Sequence, residues 1–149
     1  FELYKTFDTE KALDDIAASL RWLRENENTS GKTAVLGYCL GGLLSFLSGC
    51  QLDIDAAVAY YGVGIEKNLQ NKNMIRKPIM MHFAENDSFV PAKTIKELQE
   101  TFADNNLVSL HNYSGCDHGF ARTGGANYDR GAAEISDTRT LALLKKSLL

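Results

Sequence analysis

The chain has 149 residues, which suits one domain and is long enough to bury a real core. Its apolar content of 44% and charged content of 23% are ordinary for a globular protein. The net charge of -3, with acids and bases interspersed, excludes a basic nucleic-acid-binding face, and no apolar run approaches the roughly 20 residues that span a bilayer. No signal peptide is read either. Cys39, Cys50 and Cys116 are odd in number and form no C-x-x-C pair, which argues for a reducing, cytoplasmic setting over a disulfide framework. The chain opens with Phe1, not Met, which raises the expectation of a fragment.

Asp8-Thr9-Glu10 has a capping oxygen and a first-turn acid, and Leu13, Ile16, Ala17, Leu20 and Leu23 then recur at helical spacing. Turn-rich Asn26 to Gly31 ends that helix. Thr33 to Leu36 is short and uniformly apolar, as expected of a strand buried on both faces in a parallel sheet. It runs into Gly37-Tyr38-Cys39-Leu40-Gly41-Gly42 and then a helix from about Leu40 to Ser48. A strand, a sharp Gly-flanked turn and a helix make a nucleophile elbow, here presenting a thiol.

Ala56 to Tyr61 is the next buried strand, closed by Gly62 and Gly64. A polar connection through Lys72 and Arg76 leads to a third strand, Pro78 to Phe83. The loop Ala84 to Val90 follows, and Pro91 reads as the first residue of a helix with Ile95, Leu98 and Phe102 inward. Val108 to Tyr113 is a fourth strand, Ser114 to Phe120 a loop, and Ala121 to Tyr128 a Gly-rich segment. The last helix runs from about Asp129 to Leu148, with Ile135, Leu141, Leu144 and Leu148 on one face. This alternation predicts a single α/β domain, residues 1–149, with about four parallel strands flanked by helices.

Active residues of open α/β sheets collect beyond the carboxyl ends of strands. Cys39, Asp87 and His118 each stand at such a place, in the order nucleophile, acid, histidine. A thiol needs an imidazole to take its proton at neutral pH, and the imidazole needs a carboxylate to fix its orientation. The backbone N–H of Leu40, at a helix start, faces developing negative charge and is an expected oxyanion donor. Taken singly, Cys39 reads as a small core residue, Asp87 as a turn residue and His118 as a loop cap; the three together specify the site.

Other candidates carry two readings each. Arg122, four residues after His118, is either a carboxylate clamp or a surface arginine. Tyr60 and Tyr61 close a strand beside the site and either line a pocket or pack in the core. Cys116-x-His118 has a metal-ligand look without a matching second pair. Cys50 and His82 read as core, Asp53 and Asp55 as loop or surface acids, and His111 as alternating toward a polar face. Asp117 reads likewise as a surface acid, or as a competitor of Asp87 for the imidazole.

The motifs around Cys39, Tyr60-Tyr61-Gly62-Val63-Gly64, Asn86-Asp87-Ser88-Phe89-Val90-Pro91 and His118-Gly119-Phe120-Ala121-Arg122-Thr123-Gly124 resemble the dienelactone hydrolases (carboxymethylenebutenolidases). These are a cysteine-nucleophile branch of the α/β hydrolases. The resemblance runs almost the full length of the chain. It implies the C-terminal portion of an α/β-hydrolase fold, with Cys39 as nucleophile, His118 as base and Asp87 as its orienting acid. It implies a substrate carboxylate on Arg122; Tyr60 and Tyr61, from their place at the strand end, are the other substrate-binding candidates. The implied reaction opens 4-carboxymethylenebut-2-en-4-olide to maleylacetate, a step in chloroaromatic degradation, with no metal or organic cofactor.

Family members carry strands and helices ahead of the point matching Phe1, with a glutamate that contacts the nucleophile, the second oxyanion N–H and another substrate-binding arginine. The expectation is therefore either that an upstream segment is missing from this sequence or that the chain dimerises through an exposed strand edge; a complete chain would be a monomer. The partner otherwise expected is a small lactone or ester, not nucleic acid or membrane. Two rival readings are a broader carboxylesterase and a catalytically silent assembly module.

Overall fold

A computed structural model describes residues 6–149, so the Phe1 start lies outside the described residues. Five elements precede the third strand: helix α1 (Thr9–Glu25), strand β1 (Ala34–Tyr38), helix α2 (Leu40–Gln51), strand β2 (Ala56–Tyr60) and a 3₁₀ segment (Ile65–Met74) kinked at Asn68. Strand β3 (Ile79–Ala84), helix α3 (Ala92–Phe102), strand β4 (Val108–Tyr113) and helix α4 (Arg130–Leu148) complete the order. The strands pair in parallel in the order β1-β2-β3-β4. Among the described residues, no helix is long and apolar enough to cross a membrane.

Side chains alternate across the sheet, so each strand feeds two layers. Ala57, Ala59, Ile79, Met81 and Phe83 pack with Leu13, Leu20, Phe46 and Leu98 from α1, α2 and α3. Val58, Tyr60, Met80 and Tyr113 pack on the other face with Phe120 and with Ala132 of α4. Phe46 of α2 is fully buried and meets Phe102 of α3 edge-on at 6.1 Å.

Four boundaries or faces differ from the sequence expectation. The first strand is not buried on both faces. It forms an edge of the described sheet, with Leu36 39% and Tyr38 46% exposed, and it runs on through Gly37 and Tyr38 to the elbow. The polar connection contains the 3₁₀ segment, held by one buried apolar residue, Ile65, too few for a periodic signal. Pro91 precedes α3 as its N-cap, not as its first helical residue. On α4 the buried positions are Ala132, Ala133, Ser136 and Thr140, whereas Ile135 and Leu141 are exposed. The small residues let the helix lie close to the sheet, and an apolar count of the sequence overlooks them.

Asp55 is not a surface acid. Its Oδ2 accepts from the Thr33 N–H at 2.9 Å and from Arg24 Nη2 at 3.2 Å, and Lys77 Nζ lies 3.6 Å from Oδ1. Burial acts to raise its carboxyl, but the Thr33 N–H, Arg24 and Lys77 outweigh it and hold the group below the usual range. Asp55→Asn is expected to cost about 1–2 kcal/mol in urea unfolding at pH 7. A folded-state pKa below the unfolded value gives stability that is present above the unfolded value and lost as pH falls, so the difference should vanish in acid.

Candidate active site

The elbow depends on backbone contact that only glycine permits. A Cβ on Gly37 would sit 1.9 Å from the Gly41 carbonyl oxygen, and one on Gly42 would sit 2.7 Å from the Tyr60 carbonyl oxygen. Between them Cys39 adopts φ 56, ψ -116, a strained conformation for a residue with a side chain. Its N–H donates to the Tyr60 carbonyl at 3.0 Å, and its own carbonyl accepts from Gly42 and Leu43 at 3.0 and 3.3 Å. These bonds lift the half-buried thiol off the sheet at the start of α2, where Leu40 is the first helical residue.

His118 comes from the loop after β4 and Asp87 from the loop after β3. His118 Nδ1 lies 2.7 Å from Asp87 Oδ2; the imidazole is 16% exposed and the carboxylate fully buried. Asp87 Oδ1 accepts from the N–H groups of Phe89 and Val90 at 2.8 and 3.2 Å. One carboxylate therefore orients the imidazole and folds the loop that carries Phe89. The Phe89 and Tyr61 rings each lie 4.8 Å from the His118 ring, centroid to centroid. Asp117 does not compete for the ring, because its Oδ1 accepts from the His118 backbone N–H at 2.6 Å.

Cys39 and His118 open onto one cavity of about 800 Å³, which Arg122, Tyr61, Tyr38 and Phe89 also line. Arg122 is exposed, and no ion pair or hydrogen bond among the described residues engages its guanidinium. Its backbone sits in consecutive turns, with its N–H on the Gly119 carbonyl and its carbonyl accepting from Gly125, both at 2.9 Å. Tyr61 leaves the strand at φ 38, and burial pushes its phenol up to about 12.

Tyr60 is a correction. It is fully buried on the α4 side, its hydroxyl bonds Thr140 and Asp137, and it does not line the cavity. Tyr60 is the last residue of β2 and stays under α4, whereas Tyr61 lies past the end of the strand at φ 38 and turns toward the cavity. Tyr38 and Phe89 are the aromatic cavity residues that the sequence reading did not assign. Each adjoins a chemically active position, which was the available signal.

Cys50 is buried, and desolvation pushes its thiol up to about 12, so it is an inert core residue. Cys116 is buried against Tyr113 and Phe120. All three thiols are free, and among the described residues no cluster of three or more His, Cys, Asp or Glu could hold a metal ion.

The sequence profile of the dienelactone hydrolase family matches residues 1–148. The chain is 38% identical over 144 residues to the carboxymethylenebutenolidases of Pseudomonas putida and Pseudomonas knackmussii, covering 97% of this chain and 61% of each relative. It therefore spans about three fifths of the length of these relatives. Among solved structures, a provisionally assigned dienelactone hydrolase of Klebsiella pneumoniae superposes with a TM-score of 0.84 at 20% identity, over 92% of this chain and 61% of that one. An esterase of Pyrococcus furiosus superposes with a TM-score of 0.75 at 18% identity, over 94% and 63%. At those identities the likeness establishes the fold, an α/β hydrolase.

Proposed function

This chain belongs to the dienelactone hydrolase family, and from that premise we propose that it opens carboxylate-bearing lactones by thiol acyl transfer. The substrate class proposed is the dienelactones, with 4-carboxymethylenebut-2-en-4-olide giving maleylacetate. The observation that carries this reading is the convergence of the Cys39 elbow, the His118–Asp87 pair and Arg122 on one cavity.

Asp87 occupies Nδ1 of His118, which leaves Nε2 as the nitrogen that takes the Cys39 proton. The thiolate attacks the lactone carbonyl, and the Leu40 N–H at the start of α2 receives the oxyanion. Collapse breaks the ring C–O bond, His118 returns the proton to the departing enol oxygen, and the acyl group remains on sulfur. Water then gives a proton to His118 and its oxygen to the thioester carbonyl. Cleavage of the C–S bond releases the acid, the enol becomes the ketone, and the thiol regains its proton. Arg122 holds the remote carboxylate, with the aromatic rings of Tyr38, Tyr61 and Phe89 against the conjugated body of the substrate.

In this reading the chain is one α/β-hydrolase domain that acts on a small molecule in a reducing, cytoplasmic setting, where its three thiols stay free. The purified protein is expected to open a carboxylate-bearing dienelactone, followed by loss of the diene absorbance. Arg122→Ala is expected to lower kcat/KM on that anion by about 10- to 100-fold and on a neutral ester by less than about threefold. Equal losses on the two would instead favour the broader esterase, which the largely apolar aromatic lining also suits. Turnover of neither would leave the assembly-module reading.

A further inference from the structure

Behind the cavity, on the α4 side of the sheet, a row of rings crosses the strands in register. Tyr38 pairs with Tyr60, Tyr60 with His82 and His82 with His111. Successive ring centroids lie 4.8, 4.4 and 5.5 Å apart. His82 is fully buried, and both of its nitrogens are bonded: Nδ1 to the Tyr113 hydroxyl at 2.8 Å and Nε2 to Thr140 Oγ1 at 3.0 Å. Thr140 Oγ1 also lies 2.8 Å from the Tyr60 hydroxyl, which reaches Asp137 Oδ1 at 3.0 Å. At the opposite end Arg139 Nη1 donates to the Tyr113 hydroxyl at 3.1 Å.

The protons in this chain can be placed by counting donors. A carboxylate only accepts, so Tyr60 spends its one proton on Asp137. Thr140 must then donate to the Tyr60 oxygen, and its own oxygen accepts from His82 Nε2–H. The Nδ1 of His82 is consequently an acceptor, which receives the proton of Tyr113. The Tyr113 oxygen in turn accepts from Arg139, a donor only. Every hydroxyl gives one bond and takes one. Neighbouring Ser136 donates to the Ala133 carbonyl at 2.9 Å, and its hydroxyl also lies near the Tyr60 phenol oxygen as a further potential donor.

The wire also touches the site through the main chain. The carbonyl of Tyr60 holds the N–H of Cys39 at 3.0 Å, and the carbonyl of His82 holds the N–H of Tyr61 at 2.7 Å. Cys39 and Tyr61 are the two non-glycine residues with positive φ among the described residues. Strained backbone persists where its surroundings over-determine it. Here the surroundings are two residues whose side chains are locked end to end between a cation and an anion.

We infer that the ordered chain Arg139–Tyr113–His82–Thr140–Tyr60–Asp137 fixes His82 as the neutral Nε2–H tautomer and acts as a positioning device for the Cys39 elbow and Tyr61. The positioning half rests on the lactone-hydrolase reading; the proton order does not. Thr140, which joins α4 to both strands, is the link to remove.

The ¹⁵N resonances of the His82 ring in the purified protein report which nitrogen is protonated, and Nε2–H is expected. Protonation at Nδ1, or at both nitrogens, near pH 7.5 would overturn the inference. Tyr60→Phe keeps the ring but removes the acceptor that directs the Thr140 proton, so His82 is expected to shift toward Nδ1–H. An unmoved tautomer there would show that the order does not propagate from Asp137. Thr140→Val is expected to speed amide exchange at Cys39 and Tyr61 about tenfold and to lower kcat about tenfold with KM little changed, and Thr140→Ser is expected to restore both. Unchanged exchange at those two amides in folded Thr140→Val would refute the positioning role. If the wild-type protein turned over no lactone or ester, the functional reading would fall, while the ring and amide signals would still decide the wire.

Discussion

Cys39→Ala is expected to lower lactone turnover by roughly 10⁴- to 10⁶-fold while the protein stays folded. The proposed reaction passes its acyl group through sulfur, and no other thiol can substitute, because Cys50 and Cys116 are buried in separate apolar clusters. Alanine can occupy the strained φ 56 conformation at the same backbone cost as cysteine, so the elbow and its bond to the Tyr60 carbonyl should survive. The residual rate should come from the Leu40 N–H and from substrate binding alone. The check pairs steady-state kinetics with mass spectrometry of the wild-type protein trapped with an activated ester. An acyl adduct is expected on the peptide containing Cys39. Turnover within tenfold of wild type in the alanine variant would eliminate the thiol mechanism.

The second large effect is on stability in acid, and it centres on His82. Burial chiefly, with His111 and Arg139 adding to it, lowers this imidazole from 6.5 to about 3. The groups facing it are the His111 ring, the Tyr60 ring, the Tyr113 and Thr140 hydroxyls and, one residue beyond, the Arg139 guanidinium. None of these is an anion that would favour protonation. The unfolded chain therefore binds a proton below about pH 6.5 that the native state refuses, and stability falls as pH falls through that window. The loss amounts to about 3 kcal/mol between pH 6.5 and 4 at 1.36 kcal/mol per pH unit. His111, also lowered by burial and Arg139, acts in the same direction. Urea unfolding of wild type and His82→Gln across that range is the measurement. The variant should be less stable at pH 7 and should show a shallower slope. Parallel slopes would remove His82 as the cause. The Asp55 effect belongs to a lower window, so the two can be separated by pH.

The fold was legible where punctuation and periodicity agreed. Gly37, Gly41 and Gly42 around Cys39 marked the strand-to-helix turn, and four apolar runs alternating with helical segments pointed to about four parallel strands, whose order β1-β2-β3-β4 only the structure supplies. The burial of β1 was not legible, because an apolar run reports composition and not the number of neighbouring strands; Leu36 and Tyr38 are exposed at the described edge. The inner face of α4 was misread because it is made of alanine, serine and threonine, whose contribution lies in close approach and hydrogen bonding. At the candidate site, position at strand ends singled out Cys39, Asp87 and His118 as a set, and the structure brings them to one place, whereas spacing left Arg122 open between clamp and surface residue. Cavity walls such as Tyr38 and Phe89 can be many residues, so no motif singles them out. The wire through His82 was invisible for a different reason. Its members lie on three strands and a helix, and only the register brings them together.

Asp87 places a constraint on how this protein can change. One oxygen aims the imidazole and the other folds the turn that sets Phe89 against it, so in the proposed reaction rate and substrate range would share a single carboxylate. On the proposed mechanism, a lineage under selection for a new substrate could not reshape that wall by altering Asp87 or its turn without also disturbing the His118 imidazole. The opposite wall is linked to the site through the main chain only: Tyr38 precedes Cys39 and Arg122 lies on the loop of His118, but among the described residues neither side chain bonds the acid or the imidazole. Divergence in specificity should therefore accumulate on the Tyr38 and Arg122 side of the cavity, while the run from Asp87 to Val90 stays fixed.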